Sequence, residues 1–264
     1  MWFGPRTPVP GSRSSWHAAR VEQAGVIYAD ERFVAIDKPP GVSLATRRAQ
    51  PQAAVERLLA ALPAAVRDPL GLAADSLLLV HRLDVGTSGL VLLARDEEAH
   101  RDLARVFASR AAHRTYLALV WGHPRPAAGR YELPLAPDRR DRRRMVVAAE
   151  GRAAITDYTT LARPPHVALL RLEPATGRTH QLRVHLAHAG HPVVGDDLYG
   201  GPRHRGVRDA ALRAALSPPH TLLHAWRLHL PPTASTSERI LVAPLPPRLR
   251  AALDALGVAP PDAG

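Results

Sequence analysis

Short apolar runs separated by turn residues dominate the chain from Gly25 onward. GVIYAD and FVAIDK, at residues 25–30 and 33–38, flank a short polar turn, and this arrangement predicts a hairpin that a Pro-Pro-Gly sequence ends. Further strands are predicted where apolar residues recur between turn-rich segments, at 114–121, 154–161, 167–172, 222–230 and 239–242. The chain is therefore expected to form a sheet of many strands.

Helical periodicity marks three other segments. Apolar residues recur at helical spacing over 53–65 as far as Pro63, and residues 97–109 form an amphipathic pattern that opens with acidic side chains. Both helices are expected to pack on one face of the sheet, and a last short helix is expected at 249–256. Because strands and helices do not alternate strictly, the pattern predicts a mixed α+β fold.

One stretch places a charge between two apolar runs, where a charge needs a reason. Residues 76–80 and 89–94 are apolar and strand-like, so the segment HRLDVGTS between them is predicted to be a loop held at the end of a rigid sheet. Asp84 lies in this loop. Most isolated loop aspartates make a turn or cap a helix, but loops held in this way also carry chemistry.

A second stretch, THQLRVHLAHAG, predicts a helix with an arginine near the edge of its apolar face. Leu182, Leu186 and Ala189 share a helical stripe, and glycines before and after the segment mark its limits. Arg183 is adjacent to the edge of that stripe, where its stem can be buried while its guanidinium reaches a cleft. An exposed helical arginine is the alternative.

Four histidines in this stretch and directly after it lie close together but lack the spacing of a zinc site. On a helix, His180 and His191 fall on different faces from His185 and His188, and no acidic residue stands among them. The sequence therefore does not predict a metal site.

Composition bounds the class of protein. A chain of 264 residues with 46% apolar residues can bury a full core, and the absence of cysteine excludes disulfides and thiolate chemistry. No apolar run approaches the roughly 18 residues of a membrane span, and the first 15 residues lack the apolar stretch of a signal peptide. We therefore expect a cytoplasmic protein.

Domain organisation follows from the same patterns. Residues 1–20 are rich in Pro, Ser and Arg without periodicity, so they are predicted to be a mobile basic arm. Residues 21–256 are predicted to form a single domain, and 257–264 a flexible tail. Nothing in the sequence implies a protein partner, so we expect a monomer.

The chain is strongly basic. Its formal net charge is +11, from 35 Lys and Arg against 24 Asp and Glu, and nearly all of the positive charge is arginine. A genome whose base composition favours Arg codons explains the choice of Arg over Lys, whereas the excess over acids is typical of polyanion binding. Arginine suits phosphate oxygens because its planar fork donates two parallel hydrogen bonds.

Four segments of the chain form a recognisable series. They are FVAIDKPPGVS at 33–43, HRLDVGTSGLVLLAR at 81–95, HRTYLALVWGHPRP at 113–126 and EPATGRTHQLRVHLAHAGHPVVGDDLYG at 173–200. In this order they resemble the signatures of the RluA family of pseudouridine synthases. The resemblance implies a mainly antiparallel sheet bent around a central cleft, with helices on the outside. It also implies an enzyme that isomerises specific uridines to pseudouridine in structured ribosomal or transfer RNA, with no cofactor.

The resemblance assigns roles to three residues. The Asp of HRLD, Asp84, is implied to be the catalytic nucleophile, and Arg183 the cation that keeps this carboxylate ionised among apolar strands. Tyr116 is implied to stack on the flipped base and to take part in the proton transfer from carbon 5 of uracil. A strand tyrosine packed into the core is the alternative for Tyr116.

RNA contacts are expected around the same loop. Arg82, two residues before the aspartate, is a candidate to occupy the space that the flipped base leaves. Arg178 and His180 open the predicted helix, where a phosphate would meet its N-terminus. The run DRRDRRRM at 138–145 is expected to contact the RNA backbone.

The first signature and the N-terminus differ from those of many relatives. LATRRAQ follows the glycine turn in place of the commonest ending, which puts the details of RNA docking in question. The extra N-terminal RNA-binding domain of many relatives is expected to be missing, as in the stand-alone RluA branch, whose members act on both transfer and ribosomal RNA.

Two other classes of function remain open from the sequence. A non-catalytic RNA-binding protein or RNA chaperone on the same scaffold would keep its function in Asp84→Asn, whereas a synthase would bind RNA and form no product. A metal-dependent hydrolase that uses the histidines would stop working in the presence of a chelator.

Overall fold

The computed structural model describes residues 23–46, 50, 52–233 and 236–262, so the predicted arm at 1–20 lies outside the described residues. The strands are β1 (Gly25–Ala29), β2 (Phe33–Lys38), β3 (Leu78–Leu79), β4 (Ser88–Ala94), β5 (His113–Trp121), β6 (Ala128–Glu132), β7 (Leu135–Pro137), β8 (Met145–Val147), β9 (Ile155–Ala162), β10 (Val167–Pro174), β11 (Leu223–Leu230) and β12 (Arg239–Val242). The helices are α1 (Ala53–Ala60), α2 (Ala64–Arg67), α3 (Glu97–Ala108), α4 (Gln181–His188), α5 (Ala210–Ala215) and α6 (Pro247–Ala255).

Most strands join one mixed sheet. Its path runs β1-β2-β4-β11-β5-β10-β9-β6, with β12 paired to β11 and β3 paired to β4. Each described pair in it is antiparallel except β4 with β11, which run parallel. Strands β7 and β8 form a separate antiparallel ribbon. The predicted α+β fold with a mainly antiparallel sheet is confirmed.

The sequence located most elements, and the differences have local causes. Strands β1 and β2 form the predicted hairpin. The helix predicted from residue 53 as far as Pro63 is α1, and Pro63 is the N-cap residue of the short helix α2, which the sequence does not predict. Strands β6 to β8 are not predicted by the sequence, since they are short or polar.

Helices α1 and α3 pack on opposite faces of the sheet, so the expectation that they share one face is wrong. Side chains alternate along β2: Val34 and Ile36 pack with α1, whereas Phe33 and Ala35 pack with α3. Every residue of the neighbouring strand β4 is buried. A strand that is buried on both faces needs a cover on each side, and the two helices supply it.

The C-terminal half has the same arrangement around β5. Helix α4 packs with Ala118 and Val120 on one face of this strand, and α6 packs with Leu117 and Leu119 on the other. The chain beyond α6 packs against the same apolar cluster as α6, and Val258 is partly buried there. In the part of the chain that the structure describes, no helix has the length and apolarity to cross a bilayer.

A close backbone contact joins the two halves of the sheet. The parallel strands β4 and β11 meet at Gly89 and Ala225. Gly89 has a φ of +108°, and a Cβ at this position would overlap the carbonyl group of Ala225, so only glycine fits. This contact brings the loop before β4 next to β11 and β5.

Candidate active site

The loop that carries Asp84 is fixed by hydrogen bonds to its backbone. The carbonyl oxygen of Val85 accepts from the N–H of Gly41 at 2.7 Å. The carbonyl oxygen of Gly86 accepts from the hydroxyl of Thr221 at 2.8 Å. Both bonds lie directly after Asp84, so they restrict where its carboxylate can point.

The ammonium group of Lys38 supports the same loop. This lysine is fully buried, and its Nζ donates to the carbonyl oxygens of Pro39, Val42 and Val85 at 2.9, 3.1 and 3.3 Å. Burial lowers the pKa of Lys38 to about 8, against the opposing effect of the nearby Asp84 charge. Lys38 therefore holds a buried cation beneath the Asp84 loop, whereas most lysines are exposed to solvent.

Arg183 lies between two carboxylates. Its Nη1 is 3.3 Å from Oδ2 of Asp84, so the ion pair predicted between these residues is present. Its Nε and Nη2 donate to the two carboxylate oxygens of Asp196 at 2.7 and 2.9 Å. This two-pronged partner is not indicated by the sequence analysis.

The two carboxylates differ in exposure. The Asp196 side chain is 0% exposed, whereas that of Asp84 is 24% exposed. Burial lowers the pKa of Arg183, but the hydrogen bonds and charge of Asp196, together with the charge of Asp84, raise it above its ordinary value overall. The guanidinium is therefore a permanent cation, held by one aspartate and in contact with the other.

Tyr199 connects Arg183 to the β7–β8 ribbon. The guanidinium groups of Arg183 and Arg144 lie 5.0 and 5.1 Å from the centroid of the Tyr199 ring. The phenol oxygen accepts from the backbone N–H of Met145 at 2.9 Å and lies 2.8 Å from Nδ1 of His180. Burial raises the pKa of Tyr199, so the phenol keeps its proton at neutral pH.

His180 and Arg178 are placed differently at the start of α4. His180 is the N-cap residue, with a left-handed φ of 55°, whereas Arg178 lies in the preceding loop, where its Nε donates to the carbonyl oxygen of Ala153 at 3.0 Å. Nε2 of His180 is 3.9 Å from Oδ2 of Asp84. Burial lowers the pKa of His180, so it is neutral at neutral pH and does not act as a second counterion.

A cavity of about 470 Å³ opens beside the Asp84 carboxylate. Tyr116 lines it from β5, and burial raises the pKa of this phenol. At the exposed rim, Nη2 of Arg82 donates to the hydroxyl of Thr179 at 3.1 Å. The cavity brings together the six site residues that the sequence analysis singles out: Asp84, Tyr116, Arg183, Arg82, Arg178 and His180.

The other clustered histidines contact separate partners. The two ring nitrogens of His185 lie 3.0 Å from the hydroxyl of Thr156 and 3.0 Å from the carbonyl oxygen of Leu133. Nδ1 of His191 lies 3.0 Å from the carbonyl oxygen of Trp121. These contacts join α4 and the turn after it to the sheet.

Residues 32–188, more than half of the chain, match the family model described as RNA pseudouridylate synthase. The chain belongs to this family. The matched range contains Asp84, Tyr116 and Arg183, but it ends before Asp196 and Tyr199.

Relatives and a solved structure agree with this assignment. The dual-specificity RNA pseudouridine synthase RluA of Pasteurella multocida (strain Pm70) is 38% identical over 208 residues, which cover 77% of this chain and 84% of the relative. The protein of the same name from Escherichia coli (strain K12) is 33% identical over 223 residues, covering 83% and 92%. The solved structure of human RNA pseudouridylate synthase domain containing 4 has a TM-score of 0.69 and 27% identity, covering 90% of this chain and 95% of its own. The chain is therefore an RNA pseudouridine synthase of the RluA family, an isomerase.

Three residues near the active site of this synthase are not singled out by the sequence analysis: Lys38, Asp196 and Tyr199. A signal for Asp196 is present, since it follows the apolar sequence Pro-Val-Val and a glycine, much as Asp84 follows an apolar strand. Lys38 gives no such signal, because lysine is ordinarily exposed. Tyr199 gives no signal either, because its place in the site depends on a contact with the β7–β8 ribbon, which is itself not predicted.

Proposed function

We propose that this synthase acts on uridines in structured ribosomal or transfer RNA, with Asp84 as its nucleophile. The observation that carries the proposal is the position of this side chain. Among the described residues that line the cavity, Asp84 has the only carboxylate, and the Arg183 guanidinium 3.3 Å away stabilises its charge. A partly exposed carboxylate beside a fixed cation is the arrangement that the reaction needs.

The reaction exchanges one bond of the uridine for another. The bond between uracil nitrogen 1 and ribose carbon 1′ breaks, and carbon 5 of the same uracil joins that carbon. Carbon 5 loses a proton and nitrogen 1 gains one, so the product is an isomer of the substrate. Asp84 would begin by attacking the sugar, deprotonating it or adding to the uracil ring, and each route requires a carboxylate that faces the cavity.

Tyr116 is proposed to hold the flipped base. Its ring lines the cavity from β5, and stacking of a base on an aromatic ring is worth about 1–3 kcal/mol. Because burial raises the pKa of Tyr116, its phenol is protonated at neutral pH. This state supports stacking and hydrogen-bond donation more directly than removal of the proton from carbon 5.

RNA binding must offset the cost of extracting the uridine, which is on the order of a few kcal/mol. Arg82, Arg178 and His180 at the cavity are proposed to contact the RNA. The turn of the β7–β8 ribbon is proposed to bind its backbone. In this turn Asp141 pairs with Arg143 and Asp138 with Arg144, and the exposed side chains without an ion pair are those of Arg139, Arg140 and Arg142.

The proposal extends to substrate range and organisation. Two relatives are named dual-specificity RNA pseudouridine synthases, which supports action on two substrates, and we propose that these are transfer and ribosomal RNA. We further propose a monomer that works in the cytoplasm, with a single catalytic domain at 21–256, a basic arm at 1–20 and a flexible tail at 257–264.

The test is to incubate the protein with unmodified transcripts of transfer RNA and large-subunit ribosomal RNA and to map pseudouridines at nucleotide resolution. New pseudouridines are expected with the native protein and not with Asp84→Asn, which is the matched control. Product from the variant at the native rate would reject Asp84 as the nucleophile. If neither class of RNA were modified, the proposed substrates would be rejected.

A further inference from the structure

Charge is distributed unevenly around the cavity. Among the described residues that line it are five arginines and one aspartate. Of these arginines, Arg183 is neutralised by Asp196 and Asp84. The remaining arginines have no ion pair in the described part of the chain, so the rim carries a net positive charge that the protein does not balance.

Arg110 occupies a backbone position that favours glycine. It follows the C-terminus of α3 with a φ of 64°, its N–H donates to the carbonyl oxygen of Phe107 at 3.2 Å, and the N–H of Ala111 donates to that of Val106 at 3.0 Å. This is the Schellman ending of a helix, in which the left-handed residue is usually glycine. A strained residue that points an exposed arginine at a functional cavity suggests a role for the side chain.

Arg178 lines the cavity, and Arg152 lies in the segment after β8 that Arg178 contacts. The Nε of Arg178 donates to the carbonyl oxygen of Ala153, the residue next to Arg152, at 3.0 Å. The backbone of Arg152 is itself fixed by two hydrogen bonds with Leu135, while its side chain is exposed. Burial, followed by the charges of Arg152 and Arg110, lowers the pKa of Arg178, so each of these two guanidinium groups lies close enough to that of Arg178 to repel it.

Two other exposed arginines show how an acidic partner within the protein binds such a side chain. Arg130 binds Asp157 through two hydrogen bonds at 2.7 and 2.9 Å, and Arg143 binds Asp141 at 2.7 Å. Arg178 and the two arginines that repel it have no such partner in the described residues, and an anion from outside the protein would relieve this repulsion. A phosphodiester matches the guanidinium fork, and RNA presents such groups in series.

We propose that Arg110, Arg152 and Arg178 form one binding site for the phosphate backbone of the RNA strand that enters the cavity. The inference rests on the proposed function and adds to it a position for the strand, between the end of α3 and the segment after β8. Arg110 and Arg152 belong to no signature segment that identified the chain, so this site is additional to the signature residues.

The test measures RNA binding in an Asp84→Asn background, where the RNA is not converted. An unmodified transfer RNA transcript is titrated at several salt concentrations with the native rim and with Arg110→Gln, Arg152→Gln and Arg178→Gln combined. The combined variant is expected to bind at least about tenfold more weakly at low salt. The slope of log affinity against log salt should become shallower by about two to three units.

Arg250→Gln is the matched control, because it removes the same charge from the exposed face of α6, on the other side of β5 from α4. The proposal would be overturned if the combined variant changed the salt slope by no more than three times the change that Arg250→Gln produces. Binding is measured without catalysis, so the two proposals can fail separately. If RNA bound through these arginines but the native protein formed no pseudouridine, the proposed function would be rejected and the binding site would be kept.

Arg110→Gly separates a binding role from a structural one. Glycine adopts the left-handed conformation without strain, so the melting temperature is expected to stay the same or rise while RNA affinity falls. Unchanged RNA affinity and salt slope in this variant would exclude Arg110 from the site.

Discussion

Asp84 and Asp196 share one guanidinium but are held in different ways. Asp196 is fully buried, and its Oδ1 also accepts from the backbone N–H groups of Leu198 and Tyr199 at 3.2 and 3.1 Å. Asp84 is partly exposed, and the hydrogen bond described for its side chain is the 3.3 Å contact with Arg183. One carboxylate is saturated with donors, and the other keeps acceptor capacity directed at the cavity.

This difference separates support from chemistry. A carboxylate whose lone pairs are occupied is a poor nucleophile, but it fixes the orientation of the cation that it binds. Asp196 therefore positions Arg183, and Arg183 in turn presents one N–H group to Asp84. The division predicts that substitutions of the two aspartates affect different properties of the protein.

The largest effect is expected from Asp84→Asn. The amide keeps the size of the side chain but removes the charge and with it the proposed nucleophile, so kcat should fall on the order of 10⁴-fold or more. The free energy of unfolding should change by about 1 kcal/mol or less, because the side chain is partly exposed and weakly bonded. Single-turnover kinetics and thermal unfolding measure the two quantities. If Asp84→Asn lowered the free energy of unfolding as much as Asp196→Asn does, the contrast between the two aspartates would be contradicted.

Asp196→Asn is expected to act mainly on stability. It leaves the buried Arg183 without its principal counterion, a change that costs about 3–5 kcal/mol in the free energy of unfolding. Asp157→Asn is the matched control, since Asp157 also binds an arginine through two hydrogen bonds but at an exposed position. The control should cost at most about 1 kcal/mol. Equal losses in the two variants, measured by chemical denaturation, would show that burial of the Arg183 pair has no special weight.

The same two residues show how far sequence reaches. Asp84 is a local anomaly, a charge between apolar strands, and Arg183 stands at the edge of a helical stripe. It is the resemblance of the signature segments to the RluA family that assigns these two residues their roles. The fork between Arg183 and Asp196 depends on where the chain returns after α4, which no local pattern encodes. The faces chosen by α1 and α3 are likewise decided by which sides of β2 and β4 need covering, not by the amphipathic pattern of each helix.

Lys38→Met tests the support beneath the Asp84 loop. It removes three hydrogen bonds from an ammonium group to backbone carbonyls, so the free energy of unfolding should fall by about 1.5–3 kcal/mol, partly offset by the relief of burying a charge. Activity below the new melting temperature should fall as well, because the carbonyl oxygen of Val85, next to Asp84, loses one of its two hydrogen-bond donors. Arg95, which also donates to backbone carbonyls but away from the cavity, offers a control as Arg95→Met, expected to lower stability alone.

The difference in stability between the native protein and Lys38→Met is expected to depend on pH, and the pKa of Lys38 gives the sign of this dependence. The pKa of Lys38 is about 8 in the folded protein against 10.5 ordinarily, so between these values the unfolded chain binds more protons than the folded one. Stability of the native protein relative to Lys38→Met should therefore rise from pH 8 toward pH 10.5. Denaturation series at several pH values measure it, and a flat difference over that range would mean that Lys38 is not buried as a cation.

The smallest effect is expected from Tyr199→Phe, on the Asp196 side of the site. The ring keeps its contacts with Arg144 and Arg183, but the hydroxyl that bonds Met145 and His180 is lost, which costs about 1 kcal/mol of stability. Because His180 adjoins Asp84, kcat should also fall, by about fivefold or less.

Tyr28→Phe is the control for this last change, since the Tyr28 hydroxyl also has two partners, Asp30 and Arg239, but lies on the edge strand β1. It should cost similar stability and leave kcat unchanged. If both variants leave kcat unchanged, the support built around Asp196 reaches Asp84 through Arg183 alone. If Tyr199→Phe instead matches Asp84→Asn in activity, the phenol takes part in the chemistry, and the division between a supporting and a reacting carboxylate fails.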